Sequence, residues 1–233
     1  MHQHHLSVSG GSENTHFMTS VAYSNQDGIM LKTGVERISF RSNVDTRYKR
    51  FTFGLNLSGN KNDVPAPAVA PSGEGGIMRF VSWFTRPTVP VMYSNGHYGY
   101  VDGSMTNAVD VYNPVELMSL GYRSNEYWRF NGKAFAGIDL IDGLKFQTNF
   151  AYAFDLNATK SYNPKSPARY DAEGNVKKVE GATNQSSDYL YRKATWTNEN
   201  LLTYNKQFNE HNISVLLGHS IIGSRYYTTT AAI

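Results

Sequence analysis

Apolar and polar residues alternate along most of this chain with a period of two. The clearest run is Phe51–Gly59. Phe51, Phe53, Leu55 and Leu57 fall on one face, and Thr52, Gly54, Asn56 and Ser58 on the other. Leu144–Asp155 repeats the pattern, with Phe146, Phe150, Tyr152 and Phe154 opposite Lys145, Gln147, Asn149 and Asp155. Less regular runs lie at Thr15–Tyr23, Glu36–Val44, Trp128–Leu140, Leu190–Asn205 and His211–Ser220, and Leu6 with Val8 marks the end of one more. The pattern predicts about eight strands, most near the ~9–11 residues that a tilted strand needs to cross a bilayer. Helical periodicity is scarce, apart from a short helical turn expected at Glu116–Ser119.

The links between these runs alternate in length. Short ones fall at Gly10–Asn14, Thr46–Arg50, Ile141–Gly143 and Lys206–Glu210, the third carrying the Asp-Gly signal of a tight hairpin. Long ones fall at Asn25–Gly34, Asn60–Asn125 and Thr159–Asp188. An up-and-down meander with one plain rim and one elaborate rim has this form, and outer-membrane barrels are built so. The polar faces carry Arg37, Arg41, Arg129, Lys133 and Asp139. These would meet bulk water in a soluble protein and line a hydrated lumen in a barrel. Phe17, Tyr23, Phe51, Trp128, Phe130, Phe146 and Phe154 lie on apolar faces, several near strand ends, as aromatic girdles do.

Composition narrows the choice. Of 233 residues, 40% are hydrophobic and 18% charged, an average that barrels and soluble β proteins share because one face of each strand is polar. The net charge of +3 gives no strong field for nucleic acid. No cysteine is present, which removes thiolate metal sites and cysteine nucleophiles. No apolar run is long enough for a transmembrane helix.

Specific residues then carry a resemblance. His5-Leu6-Ser7-Val8-Ser9-Gly10-Gly11-Ser12-Glu13, Tyr23-Ser24-Asn25-Gln26-Asp27-Gly28-Ile29 and Arg41-Ser42-Asn43-Val44-Asp45 follow one another in order. After them come Asn113-Pro114-Val115, Tyr122-Arg123-Ser124-Asn125-Glu126, Glu199-Asn200-Leu201-Leu202-Thr203-Tyr204-Asn205-Lys206 and His211-Asn212-Ile213. Each is weak alone, but the ordered set resembles the SusC/RagA family of TonB-dependent outer-membrane transporters over nearly the whole chain. The resemblance implies an all-β fold, an antiparallel up-and-down transmembrane β-barrel segment. The chain would supply about eight strands of a barrel of about 22. Residues 1–233 would be part of the barrel domain, with a long loop at 60–125 and with signal peptide and plug domain absent. The parent would be a nutrient importer of a Bacteroidetes-type outer membrane. It would take up glycan oligomers or peptides with a SusD-like lipoprotein and a TonB complex, and would be neither an enzyme nor cofactor-dependent. The piece alone is not expected to transport.

Candidate site residues are few. In the long loop, Trp83, Arg86, Tyr93, Tyr98 and Tyr100 would stack on substrate, hold the partner, or pack the loop onto the rim. His2 and His4 share a strand face, but an exposed terminal strand explains them better than a metal. Asp171–Asn175 reads as a turn rather than a calcium loop, and Lys165, Arg169, Lys177 and Lys178 as a solvated basic loop. No catalytic motif stands out. Two other readings fit the alternation: a soluble β-sandwich or carbohydrate-binding module, and a small self-closing outer-membrane barrel.

Overall fold

The computed structural model describes residues 1–66, 88–99, 113–165, 168–178 and 184–233. Eight antiparallel strands form one sheet: β1 (His2–Gly11), β2 (Thr15–Asp27), β3 (Gly34–Tyr48), β4 (Phe51–Ala66), β5 (Tyr122–Ile141), β6 (Leu144–Asn163), β9 (Gln185–Phe208) and β10 (His211–Ala232). Each pairs with its neighbour in chain order, save that β6 pairs with β9 across a small hairpin of β7 (Arg169–Tyr170) and β8 (Val176–Lys178). Helix α1 (Pro114–Leu120) stands just before β5. This is the expected up-and-down meander. Among the described residues no second large sheet packs on it, as a sandwich would need. β1 and β10 are its two edges, so eight strands have not closed on themselves.

The short links are tighter than the sequence implied. Tyr48 pairs with Phe51, Ile141 with Leu144, and Phe208 with His211, leaving two-residue turns. Each turn holds a residue at positive φ: Lys49 at 54°, Gly143 at 82° and Asn209 at 51°. At Gly143 an added Cβ would lie 2.4 Å from the Asn205 carbonyl oxygen, so glycine is needed for both angle and space. The strands also run further into the long links than the apolar pattern did. β4 continues to Ala66, and its last turn of ladder pairs Val64, Pro65 and Ala66 with Asn125, Ser124 and Arg123. The connection is therefore 67–121 rather than 60–125. Pro65 is accommodated because β3 stops pairing at Asp63, leaving the other side of β4 without a ladder to supply.

Register sorts the side chains into two faces. One paired row crosses the sheet through Leu6, Val21, Phe40, Gly59, Phe130 and Phe154. The row one residue along crosses through Ser7, Ser20, Arg41, Ser58, Asn131 and Ala153. The apolar face stays uncovered: Leu55 is 43% exposed and Phe150 50%, whereas Met118, in α1, is the one large apolar side chain classed as buried among the described residues. On a protein in water so large an apolar face would be a liability. In hydrocarbon it is the solvated face.

Candidate functional site

At the long-loop end three segments converge on α1. Asn113 is its N-cap. The Asn113 side-chain oxygen accepts from the Val115 amide at 3.0 Å, and Pro114 at the first helical position needs no donor. The amide nitrogen of Asn113 reaches the opposite way and donates to the carbonyls of Val91 (3.1 Å), Gly99 (3.3 Å) and Pro90 (3.4 Å). At 4% exposure, Asn113 therefore pins the 88–99 hairpin to the helix. Tyr98 adds a bond between its hydroxyl and that of Ser119 (3.2 Å). Lys32, from the β2–β3 link, donates to the carbonyls of Ser119 (2.7 Å) and Gly121 (3.3 Å), completing the C-terminal end of α1.

The β7–β8 hairpin closes the third side. Tyr170 stacks on His97 with ring centroids 4.0 Å apart and planes 14° from parallel. The Asn95 side chain donates to the carbonyls of Asp171 (3.3 Å) and Ala172 (3.0 Å). A cavity of about 270 Å³ opens between these parts, lined among others by His97, Tyr98, Asn113, Glu116, Arg169 and Tyr170. Glu116 is 8% exposed and Arg169 5%. Burial pushes the Glu116 carboxyl above its usual range, and the Arg169 charge opposes that rise. Arg169 thus departs from the solvated basic loop expected of it: the hairpin folds it inward against α1. Lys177 instead pairs with Asp171 at 3.1 Å.

Asp171 organises the tip of that hairpin. Burial opposes its ionisation. The backbone and side-chain hydrogen bonds from Asn175, and then the bond and charge of Lys177, outweigh burial and hold the carboxyl down at about 2. Its ordinary value is 3.8, so its ionised form stabilises the hairpin above that pH, and the contribution is lost as pH falls toward 2. Protection of residues 168–178 against hydrogen exchange, taken relative to the intrinsic rate at each pH, should therefore hold from pH 7 to about 5 and fall below about 4. An Asp171→Asn variant should exchange faster at neutral pH and lose that acid step. An unchanged step in the variant would assign it to another carboxylate.

The expected site residues separate into groups. Tyr93 and Tyr98 join the loop cluster, Tyr93 through backbone bonds with His97 and Gly96. Trp83, Arg86 and Tyr100 lie outside the described residues. Arg37, Arg41, Arg129, Lys133 and Asp139 share the polar face of the sheet. Asp139 lies at its short-turn end, paired with Arg47 at 2.9 Å. Arg129 pairs with Asp155 at 2.7 Å. Asn113, Glu116, Arg169, His97 and Tyr170 were not anticipated as a cluster. The Asn-Pro step before an acidic residue is the one sequence signal that marks it. Among the described residues no group of three or more His, Cys, Asp and Glu side chains is placed to hold a metal ion.

No family model matches the chain. The TonB-dependent receptor P3 of Formosa agariphila is 30% identical over 220 residues, covering 92% of this chain and 21% of the receptor. TonB-dependent receptor P26 of the same organism is 28% identical over 221 residues, covering 92% of the chain and 20% of the receptor. The chain thus spans about a fifth of the length of the curated relatives it matches. Among solved structures, the RagAB peptide transporter aligns over 99% of this chain and 25% of its own, with a TM-score of 0.71 at 20% identity. The RagAB peptide importer in its open-open state aligns with a TM-score of 0.69 at 21% identity, over the same shares. Over nearly its whole length the chain is thus similar in sequence to TonB-dependent receptors, and its eight-stranded sheet has the fold of part of the RagAB transporter.

Proposed function

We propose that this chain forms part of the wall of an outer-membrane importer that brings oligomeric nutrients, glycans or peptides, into the cell. The observation that carries this reading is the two-faced sheet. One face is apolar and uncovered across eight strands, and the other carries Arg37, Arg41, Arg129 and Lys133 among asparagines, serines and threonines. Lipid outside and a hydrated lumen inside satisfy both faces at once.

A row of paired residues, Tyr23, Ile38, Lys61, Trp128 and Leu156, supports it. Aromatic rings and a lysine replace purely aliphatic side chains there, and the Lys61 ammonium sits 5.3 Å from the Trp128 ring centroid. That is the composition of a membrane interface, here toward the long loops. The loop cluster around Asn113 then lies outside the cell, where a SusD-like lipoprotein and arriving cargo would meet it. A TonB complex would supply the energy from the other side. The free edges of β1 and β10 would be completed by further strands of the same barrel, because unpaired backbone groups in hydrocarbon cost several kcal/mol each. The long link 67–121 and the receptor's remaining loops would select cargo.

Detergent dependence tests the reading directly. Released into buffer without detergent, the 233-residue chain should aggregate. In detergent micelles or lipid vesicles, the receptor carrying it should remain dispersed and β-rich, with migration on a gel that changes on boiling. A monodisperse, folded chain in plain buffer overturns the proposal and revives a soluble β module.

A further inference from the structure

The polar face is not uniformly charged. Arg47 with Asp139 at its short-turn end, and Arg129 with Asp155 near mid-strand, neutralise each other. Between them lies a depression of about 450 Å³ that includes Arg41, Asn43, Asn56, Asn131, Lys133 and Thr195 in its lining. No carboxylate of the described residues lines it. Among the described residues, neither Arg41 nor Lys133 forms an ion pair.

Register explains how the two cations come together. Arg41 pairs with Ser58, and Ser58 with Asn131. Asn43 pairs with Asn56, and Asn56 with Lys133. The two cations thus stand on strands either side of β4, two residues apart in register. Strand spacing and rise put their Cα atoms roughly 10–12 Å apart, close enough for both side chains to reach a group held over Asn56. The side-chain amides between them present donors without adding negative charge.

We infer that this depression is an oxyanion subsite, which selects cargo oligomers bearing carboxylate or sulfate groups. The inference rests on the import reading and narrows it to acidic cargo. Two uncompensated cations in a partly enclosed, hydrated channel raise the local concentration of anionic groups. Arginine offers a fork for two oxygens of one group, and lysine a mobile point charge for the next. Neutral oligomers gain only hydrogen bonds to the same asparagines, which water supplies equally well.

The test uses the whole receptor in detergent and two matched probe pairs, hexaglutamate with hexaglutamine and hexagalacturonate with its methyl ester. Binding is measured at low salt and near 1 M, where screening falls to about 3 Å. The acidic member of at least one pair should bind ten-fold or more tightly at low salt, with the preference shrinking at high salt. The double variant Arg41→Gln, Lys133→Gln should abolish that preference and leave the neutral member unchanged. Absence of an acidic preference in both pairs overturns the inference, as does a preference that survives the double variant. A double variant that melts earlier but keeps its preference also overturns it, by assigning the two cations to contacts within the protein. The import reading is judged separately, by whether deleting the receptor gene removes uptake of any nutrient. The subsite can therefore fail while that reading stands.

Discussion

Leu55→Arg is expected to weaken folding of the receptor into a bilayer by about 2–4 kcal/mol. Asn56→Arg, one residue along the same strand, should cost under about 1 kcal/mol. Leu55 pairs with Val44 and Ala134 in the middle of the apolar face, where the next residue across is Phe150. A guanidinium there has hydrocarbon around it and no partner within reach. Asn56 points the other way, between Asn43 and Lys133, into the polar depression. An arginine there stays hydrated, and its repulsion from Lys133 is that of two exposed charges in a high-dielectric medium. Urea titration in lipid vesicles reads both costs. Trp128 and Trp196 report the transition, since their indoles lie on the apolar face, Trp196 over Gly223 and Trp128 beside Lys61. Equal, small effects of the two variants would place water on both faces and sink the membrane assignment.

The same alternation explains how much of the fold was legible. A strand with lipid on one side and water on the other must write a period of two into its sequence, so all eight strands of the sheet could be found. Their upper ends could not. Above the apolar band, β4 reads Asn60-Lys61-Asn62-Asp63, polar on both faces, yet its ladder to β5 continues because backbone pairing does not depend on what the side chains face. β9 looked irregular for a different reason. Asn198 and Asn200 interrupt its apolar face, and the structure satisfies them locally. Asn198 donates to the Asn149 carbonyl at 3.2 Å, and Asn200 donates to the Asn198 side-chain oxygen at 2.9 Å. The loop cluster was illegible for a third reason. His97 meets Tyr170, and Glu116 meets Arg169, across sequence separations that no periodicity encodes. A basic loop is solvated by default, and the return of the β7–β8 hairpin onto α1 is what buries Arg169.

Asn113→Ala is expected to release the loop cluster while sparing the eight-stranded sheet. The substitution removes the N-cap of α1, which alone costs about 1 kcal/mol. It also strips the side-chain donor from the carbonyls of Pro90, Val91 and Gly99, of which Val91 keeps the Gly99 amide and Gly99 has little access to water. Gly99 is itself buried, and each buried acceptor left unpaired costs about 1–3 kcal/mol. A local loss of about 3 kcal/mol follows, concentrated in 88–99 and 113–121. Hydrogen exchange should quicken by about a hundred-fold there and remain unchanged in β3–β6, whose ladders do not touch these residues. Asn113→Asp separates the two roles. A carboxylate still accepts from the Val115 amide and caps α1 at least as well, but it cannot donate to the three carbonyls and it places a second negative charge near Glu116. That variant should keep α1 protected while freeing the 88–99 hairpin. Equal loosening of both segments by Asp and Ala would mean that the cap, and not the three-carbonyl tie, holds the cluster together. If the cluster is the landing place for a lipoprotein partner, capture of that partner should weaken in step with the exchange of 88–99 and not with the exchange of α1. The order of the two variants would then show which of these two segments the partner grips.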